Sequence, residues 1–375
     1  MSALALGAGR SVAGLAPDGG VPKGVAVATP PGVARFWQVT GDGRVECDLC
    51  PRHCRLREGQ RGFCFVRQNV GGRLMSSTYG RSSGFCVDPI EKKPLYHFHP
   101  GSTVFSFGTA GCNLGCQFCQ NWDISTARRM DRLMAEASPA EIARAAFGAG
   151  CRSVAYTYND PVIFAEYALD TAAACRPLGL HNVAVTAGYI DPEPRVEFFA
   201  AMDAANVDLK SFDPGFYRRL TGGRLEVVLE TLRHLVRATS VWTEITTLLI
   251  PGLNDSDREI GALAEWVAGE LGPDVPLHFT AFHPDHRLRH VPGTPLSTLR
   301  QARDLARREG LRHVYTGNVI DAAGATTFCP GCGEAVVTRR GFAVTSHRLG
   351  PDGVCPDCGG RVAGRWGSDQ TAARP

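Results

Sequence analysis

No apolar run in this 375-residue chain is long and uncharged enough to span a bilayer. Nor does either sign of charge prevail: 40 lysines and arginines face 37 aspartates and glutamates, interspersed, for a net charge of +3. That balance gives no basis for attraction to nucleic acid or to a membrane surface. The first 32 residues, rich in Ala, Gly, Val and Pro, lack the basic start and continuous apolar centre of a signal peptide. They are expected to form a disordered leader, residues 1–32. What the chain has in plenty is cysteine. Its 14 cysteines fall largely in CxxC and CxxxCxxC groups suited to metals rather than disulfides. This points to a cytoplasmic enzyme, with length enough for one barrel-sized domain and appendages.

The most informative group is Cys112, Cys116 and Cys119, in Gly-Cys-Asn-Leu-Gly-Cys-Gln-Phe-Cys. It supplies three thiolates, one fewer than the four irons of a cubane cluster require. An iron without a protein ligand can take an exogenous one, which turns an electron carrier into a reaction centre. A β-like run, Thr103 to Phe107, feeds the loop, and Gly108 and Gly111 let its backbone wrap closely around a bulky cofactor. The alternatives are a zinc site, a closed cluster with a distant fourth cysteine, or reduced core cysteines. Zinc is more commonly built from paired CxxC knuckles.

Residues 101–325 alternate short β-rich runs with longer helical patterns. The expected strands are 103–107, 153–158, 182–187, 206–210, 242–250, 276–282 and 313–317. Ser138 and Pro139, with Glu141 three after the cap, open one helix; another runs over 256–271 with an apolar face of Ile260, Leu263, Ala264, Val267 and Leu271. Repeated βα units predict parallel strands with helices outside, as an open sheet or a barrel, and chemistry on loops at the strands' carboxyl ends.

Cysteine-rich modules flank this region. Residues 33–100 hold Cys47, Cys50, Cys54 and Cys64, with too little apolar sequence around them to fold without a metal staple. The ion is either zinc or a second iron–sulfur cluster. Residues 326–375 hold Cys329, Cys332, Cys355 and Cys358 in two CPxCG knuckles joined by a hairpin around Arg339-Arg340-Gly341. That pattern describes a zinc ribbon with a filled, structural Cys₄ site, and His347 between the knuckles is expected on the surface. Cys86, Cys151 and Cys175 have no partner at ligand spacing and are expected to be buried, inert thiols.

At Cys112, Cys116 and Cys119, with an aromatic Phe118 before the last, the chain resembles the radical SAM superfamily. More narrowly, it resembles glycyl-radical-enzyme activases such as pyruvate formate-lyase activating enzyme. Of two related groups, the closer resemblance is to the radical SAM component of the AmmeMemoRadiSam system. The stretches that carry this are the N-terminal cysteine module, Asp88 to Phe98, Gly111 to Ser125 and the closing CPxCG pairs. The resemblance implies a partial (β/α) barrel of about six units, a 4Fe-4S cluster on the three cysteines, and S-adenosylmethionine on the open iron. It also implies cofactor contacts. Asn159 and Asp160 end the second strand, where the closer family tends to have Glu. Thr186 ends the third, where relatives show Thr-Asn-Gly-Tyr and this chain has Thr-Ala-Gly-Tyr. Asp208 and Lys210 match the activases' Asp-x-Lys and, by alternation, share one face of the fourth strand. His283 matches a histidine that accompanies that pair, and Thr246 with Pro251–Asn254 could line the adenosine end.

The expected activity is reductive cleavage of S-adenosylmethionine to methionine and a 5′-deoxyadenosyl radical. The electron donor would be flavodoxin or ferredoxin, and the resemblance implies Memo-like and AMMECR1-like proteins as partners. A true activase, acting on a glycine of a large protein, is the enzymatic alternative. A non-catalytic iron–sulfur and zinc binding or electron-transfer module is the alternative of another class.

Overall fold

A computed structural model describes residues 32–128 and 135–367. The expected leader, except Gly32, lies outside the described residues. The central sheet has eight strands. An antiparallel edge strand, Phe85–Pro89, pairs with the first of seven parallel ones. These are Thr103–Phe107, Ser153–Tyr156, His181–Thr186, Ala204–Asp208, Trp242–Leu249, Leu277–Ala281 and Val314–Gly317, neighbours in that order. Every strand expected from the sequence is present. The count corrects the six units implied by the resemblance, because the seventh parallel strand and the antiparallel edge both join the sheet.

Helices pack outside, and their ends follow from sequence. Ser138 caps the helix Pro139–Gly148: its hydroxyl accepts from the Glu141 amide while the Glu141 carboxylate accepts from the Ser138 amide. The helix Asp257–Trp266 begins at Ser256, whose side chain accepts from the Glu259 amide. It widens into a π-turn at Val267–Leu271 and stops at Gly272. Cys151 and Cys175 are buried as expected. Cys86 is not: it lies on the outer face of the edge strand and is exposed.

An open parallel sheet leaves a gap between its edges, here Phe85–Pro89 and Val314–Gly317. The segment 90–98 crosses that gap. Its hold is Glu244, fully buried on the fifth parallel strand. Glu244 accepts from the amides of Tyr96 (3.0 Å) and His97 (2.8 Å), from Trp242 Nε1 (3.0 Å) and from His278 Nε2 (2.7 Å). His97 then reaches the far edge: its Nδ1 donates to the Ala363 carbonyl at 2.6 Å, and its Nε2 accepts from the Tyr315 hydroxyl. Burial, reinforced by nearby His313, holds the His97 pKa well below the ordinary value, which fits this neutral tautomer.

Two small modules close over the barrel. The N-terminal one contains the antiparallel strands Trp37–Val39, Val45–Cys47 and Cys54–Leu56, and the hairpin Arg67–Val70 with Arg73–Ser76. Buried Arg67 ties it to the helix Ala165–Cys175 through its Nη2, which donates to both carboxylate oxygens of Glu166, at 2.8 and 2.6 Å. The C-terminal one has strands Thr327–Phe328, Ala335–Arg340 and Ala343–His347. Its Arg339, also buried, donates to the carbonyls of Tyr96 (2.7 Å) and Ala325 (3.1 Å) and lies 3.5 Å from Glu91. His347 is exposed, as expected. Among the described residues, no helix is long and apolar enough to cross a membrane.

Glu244→Ala would leave four buried donors without an acceptor. It is expected to cost about 3 kcal/mol or more of unfolding free energy, read from denaturant midpoints. A midpoint equal to the parent's would mean that segment 90–98 is held by other contacts.

Candidate active site

The loop after the first parallel strand carries Cys112, Cys116 and Cys119. Its path depends on two close approaches that only glycine permits. A Cβ at Gly108 would stand 2.4 Å from the Thr157 carbonyl oxygen, and one at Gly111 (φ +86°) would stand 2.1 Å from that of Cys64. Asn159 clamps the loop. Its Oδ1 accepts from the Thr109 amide at 2.9 Å, and its Nδ2 donates to Thr109 Oγ1 (3.0 Å) and the Gly111 carbonyl (2.9 Å). Asn113 adds a bond from Nδ2 to the Tyr189 carbonyl at 2.7 Å.

The three cysteines line one cavity of about 550 Å³, within the usual range for small-molecule sites. Burial pushes the Cys116 thiol up to about 12 and raises Cys112 and Cys119 as well. Thiolates there would need metal to offset the lost hydration. Among the described residues, the ribbon cysteines have sulfurs mutually within 4.8 Å, whereas these three are not among the sets that close. Three separated thiols around one cavity fit a multi-iron cluster better than a single ion.

Asn159, Asp160, Thr186, Asp208 and Lys210 all line the same cavity, as does Thr246. Their hydrogen bonds divide them. Asp160 is already engaged: Oδ1 accepts from the Val162 amide and the Thr186 hydroxyl, both at 3.0 Å, and Oδ2 from the Ala187 amide at 2.9 Å. It caps the turn Pro161–Phe164 and staples the second strand to the third. Asn159 and Thr186 are likewise committed to loop structure. Asp208 and Lys210 form an ion pair of 2.9 Å that faces the cavity. Burial opposes the ammonium, but Asp208 and then Cys116 outweigh it and hold the Lys210 pKa above its ordinary value. Among the described residues, Thr246 Oγ1 and Gln120 Nε2 are buried without a partner in the cavity wall, where a polar ligand would satisfy both.

His283 is not brought to this wall. It lies exposed beyond the sixth parallel strand, and the cavity is instead lined by His278. Pro251 to Asn254 also stay outside it. Asn254 instead caps the end of the fifth parallel strand, with Nδ2 donating to the Lys210 and Leu248 carbonyls.

Tyr158, beside Asn159, donates to the Asp88 carboxylate at 2.9 Å. Several other wall residues were not singled out from the sequence: Lys92 and Lys93 grip Asp88 at 2.9 and 2.7 Å, and Phe342 comes from the ribbon's hairpin turn. Charged Glu-Lys-Lys between Pro89 and Pro94 was the available signal for the first two. Phe342 had none, because nothing local tells that the ribbon folds back onto the barrel.

In the N-terminal module, Cys47, Cys50, Cys54 and Cys64 surround one small pocket with Arg52, Arg67 and Asn113. In the ribbon, Cys329 and Cys358 have sulfurs 3.6 Å apart, and Cys332 and Cys355 3.8 Å. That spacing suits four ligands on one tetrahedral ion.

A fold of parallel strands with a three-cysteine loop at a strand's carboxyl end defines a class of protein, and comparison with known proteins agrees. The Radical SAM superfamily model matches residues 107–264. An uncharacterized protein of Methanocaldococcus jannaschii is 40% identical over 330 residues, covering 88% of this chain and 98% of that one. Pyruvate formate-lyase 1-activating enzyme of Escherichia coli K12 is 26% identical over 192 residues, 49% of this chain and 75% of that enzyme. Among solved structures, a radical SAM methyltransferase from Sphaerobacter thermophilus aligns with a TM-score of 0.46 and 18% identity, over 64% of this chain and 71% of its own. The chain belongs to the radical SAM superfamily. Its relatives there are enzymes and include activating enzymes.

Asn159→Ala would orphan the Thr109 amide and free the Gly111 carbonyl, loosening the cysteine loop by about 1–3 kcal/mol. The variant is expected to fold but to lose iron faster than the parent under a chelator. Equal iron retention would remove Asn159 from loop positioning.

Proposed function

We propose that this protein is a radical S-adenosylmethionine enzyme of the AmmeMemoRadiSam type. The observation that carries the reading is one cavity walled by Cys112, Cys116 and Cys119 on one side and by the Asp208–Lys210 pair and unsatisfied Thr246 on the other. The three cysteines would hold a 4Fe-4S cluster. With S-adenosylmethionine bound, that group supplies one-electron cleavage of the sulfonium to methionine and a 5′-deoxyadenosyl radical. The chain's part is orientation and exclusion of water. Asp208 can accept from a ligand ammonium and Lys210 can meet a carboxylate. Thr246 and Gln120 offer hydrogen bonds, and Tyr96, Phe118 and Phe342 keep the wall apolar. The electron would come from a flavodoxin- or ferredoxin-type donor, and Memo-like and AMMECR1-like proteins are the proposed partners.

The ribbon is proposed to hold one structural zinc on Cys329, Cys332, Cys355 and Cys358, and its paired sulfur distances support this. A glycyl-radical activase is the second reading, favoured by the likeness to Escherichia coli pyruvate formate-lyase 1-activating enzyme.

Cys116→Ala should abolish formation of 5′-deoxyadenosine by reduced, reconstituted protein. Cys355→Ala should lower stability and remove about one zinc per chain while keeping the brown absorption. Deoxyadenosine at the parent rate from the Cys116 variant would sink the central reading. A deoxyadenosine-forming parent that also installs a radical on a partner's glycine would favour the activase.

Asp208→Asn keeps shape while removing charge. It should weaken S-adenosylmethionine binding roughly ten- to a hundredfold, the loss of one charge-assisted hydrogen bond of about 1.5–3 kcal/mol, with iron content unchanged. Titration of the reduced cluster by electron paramagnetic resonance reads the affinity, and an unaltered affinity would place the pair outside the binding contacts.

A further inference from the structure

We infer that Cys47, Cys50, Cys54 and Cys64 bind a second iron–sulfur cluster of the four-iron type, not zinc. Four sulfurs on one tetrahedral zinc, each about 2.3 Å from the metal, stand roughly 3.8 Å from one another. The ribbon shows that spacing, at 3.6 and 3.8 Å. The N-terminal four do not. They converge on one pocket, and Cys47 and Cys54 face each other across a strand pair. Yet among the described residues they form no set of three or more sulfurs within 4.8 Å. In this they match Cys112, Cys116 and Cys119, and that likeness rests on the cluster reading of the loop given above. In a cubane each cysteine binds a different iron, so the body of the cluster holds the sulfurs apart.

The pocket wall also suits an anionic cluster. Among the described residues, no carboxylate or histidine lines it; Leu49, Phe63 and Ile163 supply apolar cover. Two arginines complete it. Arg67 is 2% exposed. Arg52 stacks 3.8 Å over the Phe63 ring, and its Nη2 is buried without a hydrogen-bond partner. Arg67 already pairs with Glu166, and a thiolate-bound cluster would give Arg52 a counter-charge. The site shares a wall with the active-site loop: Asn113 lines it, Arg52 Nε donates to the Asn113 carbonyl at 2.9 Å, and Gly111 packs on Cys64.

Metal and sulfide analysis of anaerobically reconstituted full-length protein tests this. The parent should hold about eight irons and one zinc per chain, four irons for each cubane. The triple variant Cys112→Ala, Cys116→Ala, Cys119→Ala should keep about four irons with matching sulfide, and a paramagnetic signal after dithionite reduction. Cys50→Ala in the otherwise intact chain should lose about four irons and keep the deoxyadenosine-forming cluster's signal; this arm stands if the triple variant does not fold. Four irons in the parent that the triple variant loses, with one zinc or two, overturn the inference. Equal iron in parent and triple variant would instead refute the loop cluster and leave this one standing.

Discussion

A carboxylate buried with four donors around it holds this molecule's barrel shut. Glu244 cannot be satisfied by water, so it fixes the amides of Tyr96 and His97 against the fifth strand, and with them the segment that spans the gap between sheet edges. Lys92, Lys93 and Tyr96 reach the cavity wall only because that segment is pinned. A buried carboxylate is a costly way to fasten a loop. Its return is geometric: the acceptor has two oxygens in one plane, and four donors arriving from three chain segments must take up one arrangement.

The cavity joins two kinds of residue that look alike in sequence. Asn159, Asp160 and Thr186 spend their polar atoms on backbone and on one another, and so shape the loops. Asp208, Lys210, Thr246 and Gln120 turn polar groups into the open space. The first set makes the wall stiff, and the second leaves it receptive. Stiffness matters for chemistry in which a reactive fragment must be kept from every atom but the intended one.

Much of this could be read from residues alone, for physical reasons that differ by element. The seven parallel strands announced themselves as short β-rich runs separated by helical periodicity. The capping box at Ser138 and Glu141 was a local signal and was met. The three-cysteine loop was legible because its spacing is chemistry, not conformation. Other features depend on contacts between residues far apart in the chain. His283 occupies a plausible position after a strand, yet it lies exposed and outside the cavity wall. Cys86 has an apolar neighbour on each side but lies on an edge strand, so burial did not follow. The crossing of segment 90–98 and the placement of Phe342 arise from contacts spanning well over a hundred residues, which no local pattern encodes.

The ribbon's two knuckles make it look detachable, but Arg339 says otherwise. Its guanidinium is buried between Tyr96, Ala325, Thr327 and Glu91. The chain beyond the second knuckle also pairs with the barrel, the Arg365 amide donating to the His97 carbonyl at 2.7 Å and the His99 amide to that of Arg365. Cutting the chain ahead of the ribbon would therefore strip a buried carboxylate of its cation and uncover the barrel's open flank. The modules are separable as text and inseparable as a folding unit. A tail held in this way acts as a keystone for the arch it closes.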